Sequence, residues 1–390
     1  MYLLDYVQFS LFLLLVACFA AAQENKTSTR QGKVFSLFNI VQFNNDGCRS
    51  SSTFSSGNTG STRRNGTCFT SSECSSKGGS PAGNCASGFG ICCVFFVSNS
   101  GDTITQNCTY LRNPNFPNTL TDTSSLSYTV RKCDSRVCML RLDFESFTLL
   151  GTGNSIENDG AGEEGGRCLD EFTATSNSGF RAPIICGLNT GQHMYVDMGC
   201  LASDTASLDF NFDAQTSARM WEIKVTQIPC NTAGHPTASG CLQYHVGLTG
   251  RLTTFNFIPT NDNHLRNQQY SICIRQESGM CCIQYSECED ANSFTLDQKN
   301  DNKGFVDNMC TKDYVGIEGG ASALCGGSTN VATRTRFCGT VLNVVDESKM
   351  STPICDCNKP FRVDIFTDDT ADDPAKSSRG VCLEYTQIPC

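Results

Sequence analysis

The pentapeptide TQIPC occurs twice, at Thr226–Cys230 and at Thr386–Cys390. The residues before each copy also correspond: LDFNFDAQTSARMWEIKV precedes the first, and VDIFTDDTADDPAKSSRGVCLEY precedes the second. Each stretch reads as a strand, an acidic turn and a second strand, because apolar and polar residues alternate on both sides of a polar interruption. We therefore predict two copies of one domain, with the pentapeptide in the last strand of each.

The correspondence continues upstream of the pentapeptide. CLDEF begins at Cys168 and CTKDYVGI begins at Cys310, and each is followed by a Cys-Gly step, IICG in the first copy and RFCG in the second. Short alternating runs such as VCMLRLDF and YSICIR recur throughout this region, and no run of comparable length keeps a helical period. The pattern predicts an all-β fold in sandwich form.

Composition predicts an extracellular protein. Of 390 residues, 26 are cysteine, which favours disulfides, since no pair of CxxC motifs stands near a matching His or Cys pair. A formal net charge of -10 argues against a nucleic-acid partner. The apolar run Leu11–Ala22 predicts a signal peptide over residues 1–22; a signal anchor is the alternative, because Asp5 and no Lys or Arg precedes the run.

No later segment reaches the 18 or so apolar residues of a membrane span, so we expect a secreted mature chain without one. Sequons at Asn25, Asn65 and Asn107 predict a glycoprotein, although Cys at the middle position makes Asn107 a poor acceptor. Loss of Cys18 with the signal peptide leaves an odd number of cysteines. The first copy has an odd number itself, and Cys200 is the candidate free thiol; a bond from Cys200 to the other copy is the alternative.

A cluster of six cysteines lies between Cys48 and Cys93, with the steps GTCFTSSEC and GICC. So few apolar residues surround them that crosslinks must hold this module together. It resembles the arthropod clip module; an unrelated small cysteine knot is the alternative. The predicted organisation is a signal peptide (1–22), a polar segment (23–47), the six-cysteine module (48–93) and two repeated domains (94–230 and 231–390).

The two repeats resemble the CUB family. NCTYLRNPNFPN followed by VCMLRLDFESFTL carries the resemblance in the first copy, and GCLQYHVGLTGRLTTFNF is a looser match in the second. The resemblance implies two disulfide-bonded, jelly-roll-like β-sandwiches, with Cys168 paired to Cys186 and Cys310 paired to Cys338. Together with the small module, it is similar to secreted arthropod CUB-domain proteins.

The resemblance also implies one Ca²⁺ site formed by three acids. In the second copy these are Asp297, Asp313 and either Asp368 or Asp369, of which Asp369 fits the spacing better. Calcium requires several hard oxygen ligands, and these acids stand in separate loops that a sandwich brings to one end. The alternative is that they are solvated turn residues. The first copy offers Asp170, Glu171 and Asp213, but Leu150 stands at its first position and cannot ligate.

Enzyme motifs are absent from the sequence. It has no HExxH, no GDSGG-like segment and no phosphate-binding loop, and its four histidines (193, 235, 245 and 264) have no metal-ligand spacing. We therefore expect a non-enzymatic protein that binds an extracellular protein or glycan. The alternative is a regulatory docking partner of extracellular serine proteases in an arthropod proteolytic or immune cascade.

Overall fold

Alternating apolar and polar residues become strands in which every second side chain is buried, as in Thr205–Asn211. The computed structural model describes residues 42–57, 60–152, 166–236, 240–258, 264–296, 302–322, 333–370 and 378–390, nearly all of them in one unit, Phe43–Cys390. Among these residues, no helix is long and apolar enough to cross a membrane.

The described strands are β1 (Gly47–Ser56), β2 (Gly60–Phe69), β3 (Ser80–Cys85), β4 (Gly90–Val97), β5 (Thr103–Ile104), β6 (Thr109–Arg112), β7 (Leu126–Arg131), β8 (Val137–Thr148), β9 (Glu171–Ser176), β10 (His193–Asp197), β11 (Thr205–Asn211), β12 (Met220–Pro229), β13 (Gln243–His245), β14 (Thr249–Thr253), β15 (Gln269–Ile274), β16 (Met280–Glu287), β17 (Phe294–Thr295), β18 (Gly304–Val306), β19 (Tyr314–Ser322), β20 (Arg334–Gly339), β21 (Ile354–Asp356), β22 (Phe361–Phe366) and β23 (Gly380–Pro389). One α-helix is described, α1 (Ser71–Ser76).

The first sandwich packs the strands β6-β12-β8-β10 against a second sheet, β5-β7-β11-β9. Its core contains Trp221, which is fully buried and stacks on Phe210 with ring centroids 4.2 Å apart. The alternating pattern of β11 and β12 explains this, because both rings lie on the inward faces of their strands. Trp221 is therefore a core residue of this sandwich.

The second sandwich repeats this strand order and adds the short strands β17 and β18 and the strand β20. Its sheet β14-β23-β16-β21 corresponds to β6-β12-β8-β10, and β13-β15-β22-β19 corresponds to β5-β7-β11-β9, including the parallel pairing at each outer strand. Strand β19 pairs with both β22 and β21 and so joins the two sheets. The predicted all-β fold of two disulfide-bonded sandwiches is confirmed.

The repeated pentapeptide closes both sandwiches in the same way. It ends β12 and β23, the strands at the centre of the corresponding sheets. Its terminal cysteine is bonded to the beginning of the neighbouring strand: Cys230 to Cys138 in the first copy and Cys390 to Cys281 in the second. The five residues recur because the same strand end and the same crosslink recur.

The six-cysteine module is held by three disulfides, Cys48–Cys92, Cys68–Cys85 and Cys74–Cys93. Its helix α1 begins with a capping box in which Thr70 and Glu73 satisfy each other's backbone N–H groups. Strand β4 pairs with β2 inside the module and, in parallel, with β6 of the first sandwich. One continuous sheet thus joins the module to the sandwich, and β4 crosses the boundary predicted at residue 93.

Candidate metal centre

Asp313 lies immediately before β19, at one end of the second sandwich, and its side chain is 2% exposed. One carboxylate oxygen accepts the backbone N–H of Asp368 at 2.8 Å. The other lies 3.3 Å from Nε2 of His264, which is also buried. The structure therefore brings Asp313 together with the loop after β22, as a sandwich-end site requires.

The two candidate acids after β22 differ in their surroundings. Asp368 is half-buried, and its Oδ1 accepts the backbone N–H and the hydroxyl of Thr370 at 2.8 and 2.7 Å. Asp369 is exposed, and its backbone oxygen accepts a hydrogen bond from Arg266 at 2.9 Å. Asp297 lies outside the described residues. Asp313 and the Asp368 loop are thus adjacent, whereas the choice between Asp368 and Asp369 stays a prediction.

The corresponding acid of the first sandwich is Asp170, and it is neutralised by an arginine. The guanidinium of Arg219 donates to both carboxylate oxygens of Asp170, at 2.7 and 2.8 Å, and both side chains are fully buried. Arg219 also donates to the backbone oxygens of Asp213 and Gln215. Leu150 contributes only its backbone N–H, which donates to Asp170. A fixed positive charge stands here, so a calcium ion does not fit this sandwich.

Arg219 has a counterpart in the second sandwich that points elsewhere. Counting back from the shared pentapeptide, Arg219 corresponds to Arg379. The guanidinium of Arg379 donates to the backbone oxygens of Ile258 and Ala291 and does not pair with Asp313. Counting back from the pentapeptide is enough to find the Arg219–Arg379 pair in the sequence, but it cannot predict that their side chains turn in different directions.

A buried carboxylate requires a compensating cation or several hydrogen bonds. The carboxylate of Asp313 accepts one backbone N–H and has a histidine beside it. The carboxylate of Asp170 is bound by a bidentate arginine and also accepts two backbone N–H groups. Carboxylate oxygens are hard donors of the kind that Ca²⁺ binds. The donor set around Asp313 therefore fits a calcium ion, and the set around Asp170 does not.

The disulfides implied by the family resemblance are both present in the structure. Cys168 is bonded to Cys186 and Cys310 to Cys338, and each bond fixes the segment that carries Asp170 or Asp313. Three described cysteines form no disulfide, namely Cys108, Cys133 and the predicted candidate Cys200. Burial raises the pKa of the half-buried Cys108 thiol, which lowers its reactivity at neutral pH.

The two sequons within the described residues have different surroundings, and Asn25 lies outside them. Asn65 is exposed on β2. The side chain of Asn107 is half-buried: its Nδ2 donates to the backbone oxygen of Gln227 at 3.1 Å, and its Oδ1 accepts the N–H groups of Cys108 and Gln227, both at 2.8 Å. A sugar on Asn107 would crowd β12.

We expect Asn65 to carry a glycan on the secreted protein and Asn107 to carry none, because only the Asn65 amide is open to solvent. Peptide mass spectrometry after enzymatic deglycosylation in ¹⁸O-labelled water reports the occupancy of each site. High occupancy at Asn107 would show that strand β12 does not shield that amide.

Comparison with known proteins gives a class for the second sandwich. Residues 238–388 match the family model described as animal CUB domain. The chain therefore contains a CUB domain over these residues, and the first sandwich has the same topology.

Among solved structures, the chain is similar to the CUB1-EGF-CUB2 domains of rat MASP-1, with 13% identity over 75% of this chain and 99% of that one and a TM-score of 0.24. It is also similar to the MASP-1 CUB2 domain bound to Ca²⁺, with 18% identity over 33% of this chain and 98% of that one and a TM-score of 0.25. The extracellular region of zebrafish Gpr126/Adgrg6 matches at 10% identity over 75% of this chain and 34% of that one, with a TM-score of 0.25. No curated protein matches the sequence.

Proposed function

We propose that this is a secreted, non-enzymatic recognition protein that binds a protein or glycan partner at the Asp313 end of its second sandwich, in a calcium-dependent manner. The disulfides throughout the described residues support an oxidising, extracellular location. Protein recognition is the role that a CUB domain at residues 238–388 supports.

A single observation carries the calcium part of the proposal. Two sandwiches of one topology each bury an acid at the same end, but only Asp170 is paired with an arginine. In the second sandwich the corresponding Arg379 is bound to backbone oxygens instead. In the described residues Asp313 pairs with no arginine, and His264 carries a positive charge only when it is protonated, so a bound cation would balance the charge of Asp313.

Asp313 and the Asp368–Asp369 loop would hold the ion, and Asp297 would be the third acid. Calcium supplies a fixed positive centre that orders carboxylates from separate loops. Carboxylates ordered in this way present oxygen atoms to solvent. A partner with an exposed Lys or Arg side chain would bind them through charge-assisted hydrogen bonds, and these depend on the ion for their geometry.

Calorimetric titration of Ca²⁺ into the full-length secreted protein tests the proposal. We expect one ion per chain, with a dissociation constant on the order of 10⁻⁴ M, as in other extracellular calcium modules. The Asp313→Ala variant should give no binding heat. Asp213→Ala is the matched control, because Asp213 lies at the same end of the first sandwich, and it should titrate like the wild type. Absence of binding by the wild type, or unchanged binding by Asp313→Ala, would refute the calcium site.

A further inference from the structure

The two sandwiches contact each other along β10 of the first and β13 of the second. The backbone N–H of Tyr195 donates to the oxygen of Leu242 at 2.8 Å, and the N–H of Tyr244 donates to Nε2 of His193 at 3.0 Å. Gln243 and Gln192 are joined through their side-chain amides at 3.0 Å. Part of this contact thus depends on a histidine nitrogen that carries no proton.

Three of the four histidines in the chain meet at this contact, each from a different segment. The rings of His193 (β10) and His245 (β13) lie 5.1 Å apart. His235, from the segment between the sandwiches, has its Nδ1 3.1 Å from the hydroxyl of Tyr195. His193 is 7% exposed, and Nε2 of His245 is buried without a hydrogen-bond partner. These residues are brought together by the packing of one sandwich against the other.

The charged groups around the histidines favour their neutral form. Arg141 of β8 donates to the Tyr195 hydroxyl at 3.0 Å, and its positive charge acts on His193. Asp143 is already bound by Arg141 at 2.7 Å and lies 3.7 Å from Lys224. On the side of the second sandwich, the carboxylate of Glu277 accepts from Arg275 and from the backbone N–H of Gly247, and the remaining titratable group is Tyr244. Asp143 and Glu277 are therefore engaged by arginines, and Glu145 of β8, which lines the same pocket as His235, is exposed.

Burial and the nearby Arg141 lower the pKa of all three histidines. For His193 the pKa falls to about 3, from burial first and then Arg141 and His245. For His245 it falls to about 4, from burial and then Arg141, and for His235 it is lowered by burial and Arg141. Protonation of His193 at Nε2 also removes the acceptor for the Tyr244 N–H, although the Tyr244 oxygen lies 3.1 Å away.

We propose that this contact is an acid-operated hinge: neutral His193 and His245 hold the two sandwiches together, and their protonation separates them. The proposal is independent of the calcium site. Other bonds across the contact do not titrate, such as the Asn256 N–H to the Asn189 side chain at 2.8 Å, and they keep the hinge closed at neutral pH. Separation returns both imidazoles to water.

The direction follows from the two states. In the open form each histidine has its ordinary pKa near 6.5, and in the closed form its pKa is lower. Above pH 6.5 both forms hold neutral histidines, so protonation does not oppose the closed form there. The closed form is progressively disfavoured as the pH falls from 6.5 towards about 4, where His245 protonates within the closed form. Between pH 7.5 and 5.5 each histidine multiplies the ratio of open to closed molecules by about 10, and the pair by about 100.

Hydrogen exchange of the full-length protein measures this ratio at the amides of Tyr195 and Tyr244, both of which bond across the contact. After correction for the intrinsic exchange rate at each pH, we expect protection at both to fall by about 100-fold between pH 7.5 and 5.5. The amide of Leu208 in β11, inside the first sandwich, is the internal control and should keep its protection. It separates opening of the hinge from unfolding of the first sandwich.

Two variants separate the contributions of His193 and His245. In His245→Asn the bond between Tyr244 and His193 remains, and the loss of protection should shrink to about 10-fold. In the double variant His193→Gln/His245→Asn the roughly 100-fold contribution of the pair should disappear, whatever the protection at pH 7.5. Equal protection of the wild type at the two pH values, or a double variant that retains the 100-fold loss, would overturn the hinge.

Discussion

Replacing Asp170 by alanine should lower the free energy of unfolding of the first sandwich by about 3–5 kcal/mol. The reason is the fully buried guanidinium of Arg219, which loses both of its bonds to the carboxylate and remains as an uncompensated charge. The backbone N–H groups of Leu150 and Asp213 lose their acceptor as well. Denaturant unfolding followed by Trp221 fluorescence measures the effect, because the only tryptophan of the chain is buried in this sandwich.

Asp213→Ala is the matched control for this experiment. Asp213 contacts Arg219 through its backbone oxygen, while its carboxylate accepts only the N–H of Gln215, so the substitution should cost less than about 1 kcal/mol. Adding Arg219→Met to Asp170→Ala should recover much of the loss, because the unpaired charge is then removed. A loss below about 1 kcal/mol in Asp170→Ala would mean that the pair does not stabilise the sandwich.

Glu222→Ala should be comparably severe, with a loss of about 3–5 kcal/mol. Glu222 is buried on β12 and binds two cations: Arg64 of the six-cysteine module and Arg112 of β6, the latter at 2.7 and 2.8 Å. Without the carboxylate, two arginines remain close together at the junction of the module and the first sandwich. Burial already lowers the pKa of Arg112 despite Glu222. The same Trp221 signal reports this transition.

Glu145→Ala is the control for the junction. Glu145 is exposed on the neighbouring strand β8, so its removal should change stability by less than about 1 kcal/mol. If Glu222→Ala unfolds like this control, the ion pairs of Glu222 do not stabilise the junction, which is then held by the pairing of β4 with β6 and by contacts such as the Asn65 N–H to the Tyr110 hydroxyl.

The sequence predicts the duplication well, because the same strand end and the same crosslink require the same residues in both copies. Counting back from the TQIPC segments aligns Cys230 with Cys390 and Arg219 with Arg379, and the partner cysteines Cys138 and Cys281 both lie at the start of the neighbouring strand. It does not predict the different contacts of the two arginines. A side-chain direction depends on the surrounding loops, and these loops differ between the copies.

The histidine cluster escapes sequence analysis for a different reason. His193, His235 and His245 have no common spacing, and two of them belong to different sandwiches. They meet only because β10 packs beside β13, a contact that no periodicity of either strand encodes. The sheet that joins the six-cysteine module to the first sandwich is unforeseen in the same way, since parallel pairing of β4 with β6 leaves no local pattern.

We propose that one end of the repeated sandwich is occupied by an arginine in the first copy and by calcium in the second. A crystal structure of the full-length protein grown with CaCl₂ would locate the ion. We expect one ion within about 2.3–2.6 Å of an Asp313 carboxylate oxygen, and at Asp170 no ion but the Arg219 guanidinium. An ion bound at Asp170, or an Asp313 that keeps only His264 beside it at saturating calcium, would show that the two ends do not differ in this way.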